Sequence, residues 1–168
     1  MKMCENARTE SLASSSQTPA QPMTQLLTQH LQAFNLPPSA TAWLVMLWDA
    51  IQLFDDVADA DPITRDDLDT VIWATLVAMP SNPFFAHNAA VLLPVVGAMI
   101  LKWQASDKVE RAGHASAQSY MWRAGFYDVV LMTVQLVHGA RYAADNAHFV
   151  LGLYGERLND YLGEFQNA

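Results

Sequence analysis

Apolar positions along the chain recur three and four residues apart, and no stretch of useful length alternates one by one as a strand would. From Met23 onward Leu26, Leu27, Leu31 and Phe34 fall at helical spacing and are closed by Asn35 and Pro37-Pro38; this predicts a short amphipathic first helix. Ser39 is placed to cap a second helix running to Asp61, where Pro62 stops it. Thr64 with Asp67 three residues later has the form of a capping box for a third helix, whose stripe is Leu68, Val71, Ile72, Leu76 and Met79 before Pro80. Asn82-Pro83 opens a fourth helix, because proline is accepted at the first helical position.

The run from Phe84 to Leu101 is almost wholly apolar and raises a transmembrane reading. His87, Asn88, Pro94 and Gly97 interrupt it, so no membrane span is expected and a buried central helix kinked at Pro94 is predicted instead. Asp107 with Glu110 predicts the cap of a fifth helix through Met121, Trp122, Phe126, Val130 and Val134, with breaks at Gly113 and Gly125 and an end at Gly139. From Ala140 a last helical region, punctuated by Gly152, Gly155 and Gly163, is expected in two pieces. Residues 1–21 are rich in Ser, Thr, Gln and Ala and predict a disordered tail. The fold class is therefore all-α, a single-domain bundle of about six helices over residues 22–168.

Composition narrows the function classes. In 168 residues, 52 % hydrophobic, there is enough apolar material for one core. The single cysteine, Cys4, supports neither a disulfide framework nor a cysteine-rich metal site. With no continuous apolar run after Lys2 to act as a secretory signal, a reducing, cytoplasmic location is expected. Nine basic residues scattered among 17 acidic ones argue against nucleic acid and favour basic partners or cations. The chain has no G-x-S-x-G and no phosphate-cradling glycine loop, which sets aside nucleophilic and P-loop chemistry.

Charge is concentrated in one stretch. Between Asp49 and Asp69 stand eight Asp and one Arg, a local −7 in a chain of net −8. The second helix enters this stretch from Trp43-Leu44-Val45-Met46-Leu47-Trp48, apolar on every side, as in a helix surrounded by others. Farther on, Asp49, Gln52, Asp56 and Asp59 fall within about 80° of one another, with Asp55 on their flank. Carboxylates at a helix C-terminus oppose the macrodipole and repel one another at these spacings. Water, an arginine such as Arg111, Arg123 or Arg141, or a divalent cation must compensate them. Oxygen-only ligation suits Mg²⁺ or Mn²⁺, and Mg²⁺ takes one or two carboxylates together with substrate phosphates.

Asp55-Asp56-Val57-Ala58-Asp59, preceded by Leu53 and followed by Arg65, resembles the first aspartate-rich motif of the trans-isoprenyl diphosphate synthases. The resemblance implies a reduced isoprenoid-synthase-like bundle around an apolar cavity, with Mg²⁺ held against a diphosphate. In that reading Asp55, Asp56 and Asp59 form the metal cluster, Asp55 and Asp59 being the ligands, and Arg65 stands where the family has a diphosphate-contacting arginine. Ionising an allylic diphosphate needs a metal at the leaving group and an apolar shelter for the cation. The family's second aspartate-rich motif has no counterpart beyond Gly125-Phe126-Tyr127-Asp128, with one carboxylate.

Asp128, Gln135 and His138 share a face of the apolar fifth helix. They either form a hydrogen-bonded core network or face the acidic cluster, with Asp128 or His138 adding a ligand or a proton. Asp145 and His148 have D-x-x-H spacing, but a dimetal bundle needs two such motifs. Three-residue pairs Asp56/Asp59 and Asp66/Asp69 also resemble the helical Mg²⁺-dependent nucleotide pyrophosphohydrolases. A non-enzymatic alternative is an acidic helical inhibitor or assembly protein: five Trp, five Tyr and seven Phe leave apolar faces for a protein partner or a second copy. These alternatives divide on whether Asp55, Asp56 and Asp59 line a concavity, and whether Asp128 or His138 faces them.

Overall fold

A computed structural model describes residues 23–166, and side chains from 27 to 165; the tail expected over residues 1–21 lies outside the described residues. The described residues form helices joined by turns and contain no strand: α1 (Met23–Gln32), α2 (Pro38–Asp59), α3 (Arg65–Trp73), a π-helical segment (Ala74–Ala78), α4 (Met79–Ser81), α5 (Pro83–Arg111), α6 (Ala117–Arg123), α7 (Phe126–His138), α8 (Ala140–Leu151) and α9 (Leu158–Gln166). The all-α class and a count near six are thus met, the excess coming from short pieces on either side of α5.

The local signals operate as hydrogen bonds. Asn35 turns the chain after α1 with φ 48°, and α2 begins on Pro38 after Pro37 rather than on a Ser39 cap. It ends at Asp59, where Ala60 takes the left-handed conformation (φ 62°) and its N–H reaches back to the carbonyls of Asp56 and Val57. The Thr64 hydroxyl accepts from Asp67 N–H while the Asp67 carboxylate accepts from Thr64 N–H, a complete capping box. The Asn82 side chain accepts from the N–H groups of Phe84 and Phe85 and donates to the Ser39 carbonyl, tying the start of α5 to the start of α2.

Two expectations are corrected. Asp107 and Glu110 do not open a helix; they lie in the last turns of α5, which runs unbroken through Pro94 and ends where Gly113 takes φ +72°. Nor is this helix buried. Among the described residues it is the one long and apolar enough by length and composition to cross a membrane, yet only 11 % of its most apolar window is buried. It presents one stripe inward, Leu92, Met99, Ser106 and Glu110, while Val91, Leu93, Ile100 and Leu101 are exposed.

The main core joins Leu27, Leu31 and Phe34 to Trp43, Leu44 and Leu47 of α2, Leu92 and Met99 of α5, Phe126, Val130 and Val134 of α7, and Val150 of α8. A smaller cluster, Ala50, Leu53 and Val71 with Ile63 and Leu68 beside it, clamps α3 onto the acidic half of α2. Beyond it the predicted stripe of α3 fails: Ile72 and Leu76 are exposed, and only Met79 rejoins the core. The π-helical segment lies between. Pro80 has no N–H to donate and its ring crowds the carbonyl four residues back, so a widened turn upstream makes room and shifts the register.

Candidate ligand cavity

Residues Trp48, Ile51, Gln52 and Asp55 are three and four apart and therefore share a face of α2. They form one wall of a cavity of about 330 Å³, closed by Met99, Ile100 and Trp103 of α5, Phe126 and Tyr127 of α7, Arg123 at the end of α6, and Tyr154 and Glu156 after α8. This volume lies at the lower end of ligand-binding cavities. Its aromatic wall is continuous. Trp48 and Phe126 have ring centroids 5.0 Å apart, Phe126 and Tyr127 5.4 Å, Tyr127 and Tyr154 5.8 Å, all within the range of favourable edge and tilted contacts.

The polar end of the cavity is built on one arginine. Arg123 donates from Nε to both oxygens of Glu110 at 3.0 and 3.1 Å and from Nη2 to Oε2 at 2.7 Å. Its Nη1 reaches Asp55 Oδ2 at 3.4 Å, and the Trp103 indole donates to Asp55 Oδ1 at 2.8 Å. Glu110 is buried and also accepts from Ser106 Oγ and from the Tyr161 phenol, each at 2.5 Å. Burial alone would raise the Glu110 pKa; hydrogen bonds from Arg123, Ser106 and Tyr161 outweigh it and hold the carboxyl below its ordinary 4.5. Arg123 is raised by its hydrogen bonds to Glu110, against the opposing effect of burial. Tyr127 is pushed up to about 12 by burial, and Tyr154 is raised by burial and by its hydrogen bond to Glu156.

The expected site residues do not converge. Asp55 lines the cavity, whereas Asp56 and Asp59 are exposed; Asp59 is raised first by desolvation and then by the neighbouring Asp55 charge. Arg65 is on the surface, paired with Asp69 one turn along α3. Asp128 pairs with Lys102. His138, ten residues and so about 15 Å farther along α7, hydrogen-bonds the Phe34 carbonyl at 2.8 Å and makes a tilted ring contact with Tyr142. Among the described residues no three His, Cys, Asp or Glu side chains gather to hold a metal ion, and both Asp55 oxygens already accept hydrogen bonds.

Of the three arginines named as compensators, Arg123 is the one that reaches the acidic helix; Arg111 pairs with Asp107. Sequence reasoning missed Trp103, Glu110, Tyr154 and Glu156. A signal for two of them existed: Leu92, Met99, Trp103, Ser106 and Glu110 are spaced seven, four, three and four apart, an inward stripe that carries polar groups. No protein-family model, no curated protein and no solved structure matches the chain.

Proposed function

We propose that the protein binds a small, largely apolar organic molecule in the cavity between α2, α5 and α7, with Asp55 and Glu156 fixing its polar end. The observation that carries this reading is the continuous aromatic wall meeting a short set of oriented polar groups, the composition of a ligand pocket. Its test is a fragment screen followed by amide NMR. Aromatic fragments are expected to shift Gln52, Asp55, Met99 and Tyr154 together, and Ile100→Trp, which fills the mouth, to abolish the shifts. Shifts scattered over the surface and unchanged in Ile100→Trp would refute it.

A second reading places Mg²⁺ and a diphosphate at the mouth of the same cavity. What favours it is that Asp55 of the aspartate-rich motif lines an apolar cavity, with Asp59 one turn away and close enough to feel its charge. Mg²⁺ needs only one or two protein carboxylates when phosphates complete its shell. Arg123 rather than Arg65 would then be the nearby cation. Calorimetry with Mg²⁺ and inorganic diphosphate, on wild type and on Asp55→Asn/Asp59→Asn, decides it: absence of heat at millimolar metal removes this reading. A partner protein or second copy has its own support in Trp73, Leu76 and Leu101, each about 70 % exposed, and light scattering across concentration tests self-association.

A further inference from the structure

We infer that the molecule held in the aromatic cavity is an organic cation, an amine or quaternary ammonium carried on an apolar body. This rests on the cavity being a ligand site and specifies what chemistry it selects. Three side chains that carry charge at neutral pH line it: Asp55, Arg123 and Glu156. Arg123 is the cation among these lining residues, and its charge is already answered. Two of its nitrogens face Glu110, whose side chain is 4 % exposed, and the third leans toward Asp55. With Glu110 included, the polar end carries three carboxylates against one guanidinium.

The hydrogen-bonding inventory points the same way. The two donors placed against the lining carboxylates are used on them, the Trp103 indole N–H on Asp55 and the Tyr154 hydroxyl on Glu156; Trp48, Gln52 and Tyr127 bring further donors to the lining. Ionised carboxylates are acceptors only, each with about four lone-pair sites. Asp55 and Glu156 therefore keep acceptor capacity after these bonds are made, which a bound ammonium can use. An ammonium supplies donors, or at least positive charge, where a phosphate or carboxylate would add further negative charge to a half-buried site that already holds three carboxylates.

The walls favour a cation as well. Trp48, Phe54, Trp103, Phe126, Tyr127 and Tyr154 all contribute to the lining. Ring faces carry partial negative charge and attract a desolvated cation. A neutral apolar ligand would gain burial from these rings but would add no positive charge beside Glu156 or beside Asp55, whose contact with Arg123 is long.

The probes are benzyltrimethylammonium, its neutral isostere neopentylbenzene, and benzenesulfonate, titrated into the full chain by tryptophan fluorescence and amide NMR. The cation is expected to bind at least about tenfold more tightly than the neutral isostere, and benzenesulfonate more weakly than either. Asp55→Asn and Glu156→Gln, which keep shape and acceptor atoms, are each expected to weaken the cation several-fold and leave the isostere unchanged. Near-UV circular dichroism verifies that both variants are folded. Equal affinity for cation and isostere, with shifts in the cavity, overturns the charge selectivity while leaving the cavity a ligand site. Tighter binding of the sulfonate overturns it too. Failure of all three probes to shift cavity residues overturns both readings.

Discussion

Two groups of carboxylates meet at Arg123 and differ in burial and in hydrogen bonding. Glu110 sits in an ordinary mixed-charge turn beside Asp107, Lys108 and Arg111, yet it is buried, chelated by a guanidinium and bonded by two hydroxyls. The stretch from Asp49 to Asp69 carries most of the net charge, yet Asp56, Asp59 and Asp61 are exposed. Density of charge along the chain marks where water is, because like charges on one helix face cannot be desolvated together. Commitment of a carboxylate to structure depends on donors arriving from elsewhere in the chain. Asp55 belongs to both groups, which is why it alone of the aspartate-rich motif lines the cavity.

The comparison is sharpest at Glu110. Replacing it by Gln leaves the mostly buried Arg123 with only its long contact to Asp55, at a cost of about 3 kcal/mol, read as a shift in the urea midpoint. A loss no larger than that of a surface substitution would break the distinction.

Acid titration separates the two groups by sign. Glu110 is depressed in the fold, so its stabilisation is complete above about pH 4.5, its ordinary value, and is lost as pH falls through the lower folded value. Asp59 is raised, so it favours the folded state below its ordinary 3.8 and this advantage disappears as pH rises through the folded value. Melting temperature followed from pH 2 to 7 should fall toward acid, with Glu110→Gln flattening that slope and Asp59→Asn steepening it.

A smaller effect is expected at the shared residue. Asp55→Asn keeps an acceptor for Trp103 and weakens only the long contact to Arg123, costing about 1 kcal/mol in chemical denaturation. The smallest belong to the surface: Asp56→Asn and Arg65→Ala should each move stability by less than about 0.5 kcal/mol. Asp56→Asn is expected to be neutral to stabilising, since it removes a negative charge from a helix C-terminus. A cost above 1 kcal/mol at Asp56, measured by the same denaturation, would show that the acidic face is part of the folded core.

What was legible in the chain is what neighbours decide. Helical periodicity, the Thr64–Asp67 capping box, the Asn82-Pro83 start and the turn at Gly139 (φ +86°) rest on hydrogen bonds and sterics spanning a few residues, and the all-α class follows from them. Where a local signal failed, a longer-range fact overrode it. Asp107 and Glu110 resemble a helix start, but the helix from Pro83 was already propagating and adding a residue to it costs less than nucleating another. The apolar run of α5 shows no preferred face, so the sequence could not say that only the side bearing Leu92, Met99 and Glu110 would be covered.

By itself the sequence determined the helices, most of their ends, and the placing of an acidic half on a buried α2. Tertiary structure alone decided which carboxylate matters. The bonds that make the cavity's polar end join residues far apart in the chain, Asp55 to Trp103 across 48 positions and to Arg123 across 68. No spacing rule reaches that far, because such contacts are set by how helices cross. The aspartate-rich motif could therefore be read from the chain, while the desolvated pair beside it could be read only from the fold.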